Sequence, residues 1–283
     1  MIGIIGAKGF VGSYLKIDGA VTFDRNNINV LDKESLKKLA GIDTLVYLVK
    51  GETEVITKGL ENTLETAEKV GVKKVIYLSS IVVFGENPQK GITDDSPIKL
   101  KHNDPYAQAK ADAELIVERY RKKMNIIIIR PGYVYGEGGF DHTVHFLNQI
   151  KENNVYLPYN GVGAFNGVYV GNLAHLIKLA IDSDIKNENF NAVDGFSLIW
   201  RDLFEAYAVK LGKHIDEINR NNVEIIDNKW LFRIKRRFNE KVVHKSFTDV
   251  YNWSYHFNIN KAKSLLSYNP IYSFQEAMDN IHA

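Results

Sequence analysis

The chain has 283 residues, of which 45% are hydrophobic and 25% charged, and its formal net charge is +2. These values are typical of a globular protein with a large core, and they exclude a general electrostatic attraction to nucleic acid or membranes. The absence of cysteine excludes disulfides, thiolate metal ligands and a cysteine nucleophile.

The sequence carries no targeting signal that we recognise. The N-terminal stretch MIGIIGAKGF has no basic region before its apolar residues, so it is not a signal peptide. No run approaches the ~18 apolar residues of a membrane span. We therefore expect a cytoplasmic protein with no membrane span and no nucleic-acid partner.

The first half of the chain alternates short apolar runs with helical patterns. Strands are predicted at 2–6, 20–24, 43–49, 73–80 and 125–132. Helices are predicted from near Gly9 and at 32–40, 61–71 and 106–123, with caps at Asp32 and Asp104 and a stop at Gly71. Unbroken apolar strands that alternate with helices predict an α/β fold with a doubly wound parallel sheet, in which ligands bind at the carboxyl ends of the strands.

The second half is less regular and more aromatic. Residues 165–182 predict one more strand and helix, and 195–283 have a mixed pattern. A basic cluster there could touch an anionic ligand or a membrane surface, although a solvated helix face is favoured: Arg233, Lys235, Arg236 and Arg237. His142 and His145 lie close in sequence but lack a third ligand, so no metal site is predicted.

Three glycines follow the first strand and open the first helix. Gly6, Gly9 and Gly12 form G-x-x-G-x-x-G, with Lys8 where the commoner dinucleotide pattern has glycine. A pyrophosphate needs bare backbone and helix N–H groups at such a turn. Asp24, at the end of the second strand, could hold ribose hydroxyls and favours NAD, whereas Arg25 leaves NADP open.

Tyr106 and Lys110 stand four residues apart on a predicted helix, so their side chains share a face. Alone, such a pair is common on helix surfaces. Together with the glycine loop and the motifs GVKKVIYLSSIVVFG, PYAQAK and IIRPGYVYGEGG, it resembles the extended short-chain dehydrogenase/reductase family, also called the NAD-dependent epimerase/dehydratase family. The resemblance covers nearly the whole chain.

The resemblance implies roles for particular residues. Ser80, Tyr106 and Lys110 match the catalytic serine, tyrosine and lysine of the family. The positions that match cofactor contacts are Gly6, Gly9, Phe10, Val11, Gly12, Asp24, Arg25, Asn29, Val30, Leu48, Val49, Lys50, Lys110, Pro131 and Val134. Lys50 replaces a small residue and either closes over the pyrophosphate or points outward.

The residue types suit proton transfer coupled to hydride transfer. An ordinary tyrosine has a pKa near ~10, and a lysine ammonium one turn away is expected to lower it toward the working range. Tyr106 would then exchange a proton with a carbinol while hydride moves to or from the nicotinamide. Ser80 would hydrogen-bond the same substrate oxygen.

Four positions depart from the family's patterns for nucleotide sugars, and they are predicted to bear on the substrate. Ile81 and Val82 stand where dehydratases carry an acidic pair, which disfavours 4,6-dehydration. Tyr133 replaces a frequent asparagine, and Phe165 a frequent arginine. The C-terminal half also resembles the 3β-hydroxysteroid dehydrogenase-like branch at Asn172, His175 and Trp200. Core packing is favoured over a substrate role for Phe165, His175 and Trp200.

The leading hypothesis is an NAD(P)-dependent oxidoreductase or epimerase acting on a secondary alcohol or ketone, first of all in a nucleotide sugar. A steroid-like or other small carbonyl substrate is the runner-up, and a non-catalytic NAD-binding sensor is the rival. A homodimer through the helices near 55–70 and 106–123 is expected by resemblance. Residues 1–131 with 168–194 are predicted to form a Rossmann domain, and 132–167 with 195–283 a smaller substrate lobe.

Overall fold

The computed structural model of the chain describes residues 1–85, 91–218, 224–237, 242–245 and 248–282. Its strands are β1 Ile2–Ile5, β2 Val21–Phe23, β3 Thr44–Tyr47, β4 Lys74–Leu78, β5 Asn125–Pro131, β6 Tyr133–Tyr135, β7 Gly167–Tyr169, β8 Asn189–Ala192, β9 Glu224–Ile226 and β10 Val242–His244. Its α-helices are α1 Phe10–Tyr14, α2 Lys33–Leu36, α3 Thr53–Val70, α4 Pro105–Tyr120, α5 His145–Lys151, α6 Val170–Asp182, α7 Trp200–Lys210, α8 Ile215–Ile218, α9 Lys229–Arg236, α10 Asn260–Leu266 and α11 Phe274–Asp279.

Six strands form one parallel sheet in the order β2-β1-β3-β4-β5-β8. The predicted doubly wound α/β sheet is therefore confirmed. Because all the strands run the same way, the segments that follow them meet at one edge of the sheet. Gly6, Asp24, Leu48 and Ser79 each follow a strand at that edge.

Apolar side chains cover both faces of this sheet. Along β5, Ile127 and Ile129 pack with the helix α6, whereas Ile126 and Ile128 pack with α3 and α4. Successive strand residues point to opposite faces, which explains why this strand has no polar alternation. Each fully buried isoleucine contributes on the order of 1.5–3 kcal/mol through removal from water.

The predicted caps at Asp32 and Asp104 and the stop at Gly71 are confirmed, but the helix predicted at 61–71 begins at Thr53 and the helix predicted at 106–123 ends at Tyr120. Asp104 caps α4 by accepting a hydrogen bond from the Ala107 amide at 2.8 Å, and Pro105 occupies the first turn. Asp32 accepts from the Glu34 amide at the start of α2. Gly71 ends α3 in the left-handed conformation at φ 88°, which costs glycine little.

The C-terminal half is built around an aromatic core containing Phe146, Trp200, Phe204 and Tyr207. The strand and helix predicted at 165–182 are present as β7 and α6, but β7 pairs with β6 outside the main sheet. β8 does join that sheet, beside β5. The division into two predicted domains stays a prediction.

The basic cluster predicted on a helix face lies on α9 and just after it. This helix packs beside the small parallel sheet formed by β9 and β10. In the described parts of the chain, no helix combines the length and the apolar character needed to cross a bilayer.

Candidate active site

The glycine loop makes a turn that larger residues would not fit. Gly6 has φ 89°, in the left-handed region, and the Gly9 amide donates to the Gly6 carbonyl at 2.9 Å. A Cβ atom on Gly12 would lie 2.3 Å from that carbonyl oxygen and 2.7 Å from Ala7 Cα. The loop therefore presents closely folded backbone at the start of α1, which fits the needs of a bound pyrophosphate.

The two residues between Gly9 and Gly12 serve the packing of the loop. Phe10 and Val11 are half-buried against the aromatic C-terminal core. A Cβ atom on Gly139 would approach the Phe10 ring to 2.7 Å, so that chain segment lies directly on α1. The loop is thus held between the parallel sheet and the C-terminal half.

Asp24 lies at the end of β2 and forms an ion pair with Lys8 of the glycine loop. The hydrogen bond from Lys8 lowers the pKa of Asp24, and a 2.7 Å hydrogen bond from the Asn26 amide adds to this effect. Arg25 is exposed beside it. The sequence marked Lys8 as a departure from the glycine pattern, but only the structure shows that it reaches Asp24.

The other residues predicted to lie near the adenine of the cofactor make contacts within the protein. The Asn29 side-chain oxygen accepts from the Leu31 amide at 3.0 Å and closes a turn. Val30 is 7% exposed and packs in the core beside α3. At the end of β3, the Leu48 amide donates to the Ile5 carbonyl, and Leu48 backbone atoms would lie 3.2 Å from a Cβ on Gly6.

Lys50 follows Leu48 and the half-buried Val49, and its exposed side chain has an acidic partner. Its Nζ atom pairs with an Asp141 carboxylate oxygen at 2.5 Å. Asp141 belongs to a π-helical turn over 140–144, after β6. This ion pair connects the end of β3 with the C-terminal half.

Ser80, Tyr106 and Lys110 come together at the carboxyl edge of the sheet. The Ser80 side-chain oxygen accepts from the Val82 amide at 3.3 Å, and the Ser80 and Tyr106 side chains are close enough to interact. Lys110 Nζ donates to the Leu78 carbonyl at 2.8 Å and lies 6.0 Å from the centre of the Tyr106 ring. The three side chains predicted to be catalytic are thus neighbours in space.

Burial sets the charge states of the tyrosine and the lysine. It raises the pKa of Tyr106 to about 12, although the interaction with the Ser80 side chain acts in the opposite direction. It lowers the pKa of Lys110 to about 8, against the favourable charge of Glu114. The expected lowering of the Tyr106 pKa by Lys110 is not seen in the protein alone, where desolvation of the phenolate is the largest effect and Lys110 does not contribute.

A buried ion pair between Glu114 and Arg130 lies next to the candidate catalytic residues. Glu114, one turn after Lys110 on α4, accepts two hydrogen bonds from Arg130 at 2.9 and 2.7 Å, and both side chains are 3% exposed. The hydroxyl of Ser79 donates to the same carboxylate at 2.6 Å. Arg130 also donates to the Asp94 carbonyl at 2.8 Å. This network ties α4 to the ends of β4 and β5.

Adjacent serines therefore have different environments. Successive residues of an extended segment face opposite ways, so Ser79 meets Glu114 while Ser80 meets Tyr106. Our sequence reasoning missed Ser79, Glu114 and Arg130. A charged residue inside the apolar run of β5 and another on the Ala-rich stripe of α4 were the available signals, since buried charges are rare unless paired.

An aromatic cluster lies beyond the end of β5. After Pro131, the ring of Tyr133 lies 4.7 Å from that of Trp200 and 6.2 Å from that of Phe165. The ring of His142 lies 5.2 Å from Tyr133. Burial raises the pKa of Tyr133 above its ordinary value, which keeps this phenol neutral.

The predicted substrate residues differ in exposure. Ile81 and Phe165 are 2% and 3% exposed and pack in the core, whereas Val82 and Tyr133 are half-buried, as is the cofactor-side residue Val134. Core packing, which the sequence favoured for Phe165 and Trp200, agrees with this burial. His175 is half-buried, with its ring 6.0 Å from that of Tyr268. Asn172 Nδ2 donates to the buried Asp194 carboxylate at 2.7 Å.

A cavity of about 280 Å³ opens beside Tyr106. It lies between the start of α3 and the start of α4, and its lining residues are Gly51, Glu52, Thr53, Ile56, Asp104, Pro105 and Tyr106. The candidate proton-transfer residue therefore borders space that a small molecule could enter.

Sequence comparison finds similarity to known enzymes. Residues 40–196 match the sequence model of the 3-beta hydroxysteroid dehydrogenase/isomerase family. The chain is 27% identical over 250 residues to an N-acetyl-alpha-D-glucosaminyl-diphospho-ditrans,octacis-undecaprenol 4-epimerase of Escherichia coli O157:H7, covering 76% of the chain and 74% of that relative. It is 30% identical over 169 residues to a UDP-glucose 4-epimerase of Vibrio cholerae, covering 56% of the chain and 50% of that relative.

Structural comparison supports the fold. A dTDP-glucose 4,6-dehydratase, DesIV from Streptomyces venezuelae with NAD and TYD bound, has a TM-score of 0.77 and is 19% identical. The match covers 98% of this chain and 94% of the dehydratase. At this identity the similarity concerns the fold.

Proposed function

Because the chain belongs to the 3-beta hydroxysteroid dehydrogenase/isomerase family, within the extended short-chain dehydrogenases/reductases, we propose that it is an NAD-dependent epimerase that inverts a secondary alcohol of a sugar attached through a diphosphate. The observation that carries the proposal is the convergence of Ser80, Tyr106 and Lys110 near the glycine loop. A protein that only sensed NAD would need the glycine loop, but it would not need the residues proposed to transfer a proton, Ser80, Tyr106 and Lys110.

The chain's own groups divide the chemistry between them. Gly6, Gly9 and Gly12 would admit the pyrophosphate against bare backbone, and the Asp24 carboxylate would accept from the ribose hydroxyls. NAD, when bound, would take up and return a hydride, and its positively charged ring would favour a phenolate nearby. NAD is favoured over NADP because a carboxylate repels a 2′-phosphate, and the structurally similar dehydratase has NAD bound.

Tyr106 would move the proton of the reacting alcohol. With a pKa of about 12 in the protein alone it starts as a neutral phenol, so it must first release its proton to solvent. The phenolate would then accept the hydroxyl proton as the alcohol is oxidised and return it as the ketone is reduced. Ser80 would orient the substrate oxygen, and the Lys110 ammonium would stabilise the phenolate as it forms.

The substrate class rests on the relatives. The names of both 4-epimerases specify a sugar attached through a diphosphate, in one case to a nucleoside and in the other to a polyprenol. Dehydration is disfavoured because Ile81 and Val82 offer no acid or base next to Ser80. The chain is similar to 4,6-dehydratases both in sequence and in fold, so this part of the proposal needs a direct test.

A second candidate follows from the family model, which describes hydroxysteroid dehydrogenases. Tyr133 is half-buried against the buried rings of Phe165 and Trp200, and it would offer an aromatic surface to a flat apolar alcohol as well as to a sugar ring. In that case the enzyme would release its reduced cofactor after each oxidation, whereas an epimerase regenerates NAD and can retain it.

The first test measures the bound cofactor and the reaction. The purified protein is denatured, and the supernatant is assayed for NAD(H) and NADP(H) per chain. The protein is then incubated with UDP-glucose, UDP-N-acetylglucosamine and a polyprenyl diphosphate sugar, and inversion is followed by chromatography. Retained NAD with inversion at carbon 4 supports the proposal. Oxidation of a 3β-hydroxysteroid alone would support the second candidate, and the absence of any nicotinamide binding would contradict both.

Tyr106→Phe is expected to retain NAD and to lose turnover by about 10²–10⁴-fold, because general acid–base catalysis contributes that much. Tyr120→Phe, at the far end of the same helix, is the matched control and should keep full turnover. Unchanged turnover in Tyr106→Phe would rule out the proposed mechanism.

We further infer a homodimer through α3 and α4. These helices pack side by side, and Leu115 on α4 is 46% exposed. A second copy would cover this leucine.

We also propose that the chain is divided into a cofactor-binding domain, formed by 1–131 with 168–194, and a substrate-binding lobe, formed by 132–167 with 195–283.

A further inference from the structure

The short helix α9 exposes an apolar surface that no described part of the chain covers. Trp230 is 71% exposed, and Leu231 and Ile234 are 37% and 38% exposed. At 100° per residue these three side chains fall on one side of the helix. Ile225, on the adjacent strand β9, is 40% exposed. Four large apolar side chains are thus exposed within ten residues of chain.

Basic residues flank this apolar surface. The stretch KWLFRIKRR, residues 229–237, contains no acidic residue. Arg233, Arg236 and Arg237 are exposed, and Arg236 also donates to the Val242 carbonyl at 3.2 Å. Lys235 pairs with Glu224. The nearby acid Asp227 lies 3.7 Å from Lys245. The helix surface therefore keeps a positive excess beside its apolar side.

This combination suits one kind of partner better than a solvated helix face or a protein groove. An amphipathic helix with tryptophan on one side and arginine or lysine beside it lies in the interface of an anionic membrane, with the indole at the level of the headgroups. A polar solvated helix would not need an indole that is 71% exposed. We propose that α9 and the end of β9 bind the surface of an anionic phospholipid bilayer.

The chain connects this surface to the candidate active site. After α9 the chain forms β10 and then a 3₁₀ turn over Asp249–Asn252. Tyr251 in that turn packs on Trp200 at 4.7 Å between ring centres, and Trp200 packs on Tyr133 at 4.7 Å. Attachment through α9 would therefore tether the chain segment that leads to the aromatic cluster of the site. The proposal does not depend on which substrate the enzyme uses.

The test is sedimentation of the full chain with vesicles. One set contains phosphatidylcholine with about a third phosphatidylglycerol, and the other contains phosphatidylcholine only. We expect binding to the anionic vesicles, little binding to the neutral ones, and release at high salt because the Lys and Arg contribution is screened. Emission from Trp230 should shift to shorter wavelength on binding, since Trp200 and Trp253 are already 2% and 6% exposed.

Variants separate the apolar and the charged contributions. Trp230→Ser and the double change Arg233→Glu with Arg237→Glu should each weaken vesicle binding tenfold or more. Val209→Ser, which removes a 60% exposed side chain from α7, and Lys16→Glu, at an exposed site near the loop, are the matched controls and should bind like the unchanged protein. The amount of bound NAD should be the same in every variant and in the unchanged protein. Measuring it separates a failure of the proposed function from a failure of membrane binding.

Two results would overturn the proposal. One is absence of binding, or equal binding to neutral and anionic vesicles. The other is concentration-dependent self-association that Trp230→Ser abolishes while vesicles bind nothing, which would make this surface a contact between two copies of the chain. Circular dichroism and thermal melts of each variant confirm that the loss is not a loss of folding.

Discussion

At the scale of single residues, burial of the charged Lys110 side chain in the candidate active site lowers the stability of the folded protein. Its side chain is 3% exposed, and one carbonyl oxygen, that of Leu78, accepts its hydrogen bond at 2.8 Å. The rings of Tyr77 and Tyr106 lie 5.1 and 6.0 Å from its Nζ atom. Aromatic faces and one carbonyl only partly replace water around an ammonium group, so burial lowers its pKa to about 8.

The direction in which pH changes the folding stability follows from the number of protons that Lys110 binds in the folded and unfolded states. Between about pH 8 and the ordinary lysine value of 10.5, the unfolded chain binds this proton and the folded chain does not. The free energy of unfolding therefore rises with pH across that window. Below about pH 8 both states are protonated, and the folded protein carries the full cost of the buried charge.

Lys110→Met is expected to raise the free energy of unfolding at pH 7 by about 1–2 kcal/mol, because the relieved desolvation exceeds the loss of one hydrogen bond. It should also abolish turnover and flatten the rise in stability above pH 8. Urea denaturation at several pH values measures both effects. Lys122→Met, at an exposed site, should change stability by no more than ~0.5 kcal/mol. A clear loss of stability in Lys110→Met would contradict this account.

At the scale of elements, the first helix depends on its surroundings. α1 has only five residues, too few to be stable by itself. The Tyr14 hydroxyl donates to the Glu137 carbonyl at 3.1 Å, and the Phe10 ring lies against Gly139. Contacts with the C-terminal half therefore hold the helix end to which a pyrophosphate would bind. The glycine loop and α1 form one packed unit.

Gly12→Ala should damage this unit more than Gly9→Ala. The added methyl group at Gly12 would lie 2.3 Å from the Gly6 carbonyl oxygen, whereas at Gly9 it would lie 3.2 Å from the same atom. We expect a loss of about 1–3 kcal/mol in stability for Gly12→Ala, together with loss of bound NAD. Gly9→Ala should lose less stability. Thermal melts and NAD titration compare the two, and equal effects would show that the crowding at Gly12 is relieved by backbone movement.

At the scale of the whole molecule, α3 and α4 form the outer layer on one face of the sheet. Arg119 of α4 pairs with Glu61 of α3 at 2.6 Å, and Lys123, just after α4, pairs with Glu68 of α3 at 2.9 Å. Leu115 stands out on α4 as a large exposed apolar residue. A second copy related by a twofold axis would place two such helix pairs together, and each Leu115 would be removed from water.

Leu115→Glu is expected to convert a dimer into a monomer of about the chain mass, 32.2 kDa. The reason is that a buried carboxylate without a partner opposes association. Light scattering coupled to gel filtration measures the mass. Leu265→Glu replaces a leucine on α10 of nearly the same exposure, 47%, and should leave the mass unchanged. If the protein without any substitution has the mass of a monomer, the dimer proposal is wrong.

Local patterns predicted the first half of the fold well. Apolar runs, the caps at Asp32 and Asp104 and the stop at Gly71 are encoded within a few residues of each element. The strands β6, β8, β9 and β10 were missed, because strands of three or four residues carry little periodicity, and the pairing of the predicted strand β7 outside the main sheet was not foreseen. The catalytic roles of Ser80, Tyr106 and Lys110 stay predictions.

Long-range polar pairs were beyond sequence reasoning. Lys50 meets Asp141 across 91 positions, and Ser79 meets Glu114 across 35. Which acid a given lysine or serine contacts depends on how the elements pack, and that information is not present in any local pattern. The same holds for the exposed indole of Trp230, since a sequence motif does not reveal which side of a helix stays uncovered.

Lys8 extends the range of acidity over which the Asp24 carboxylate stays ionised. Its hydrogen bond holds the pKa of Asp24 below the ordinary value, so protonation of this acid begins only in more acidic solution than for an unpaired aspartate. A ribose bound there would keep its acceptor while ordinary surface carboxylates start to take up protons. In the proposed site, the lysine that interrupts the glycine pattern would thus make dinucleotide recognition tolerant of acid.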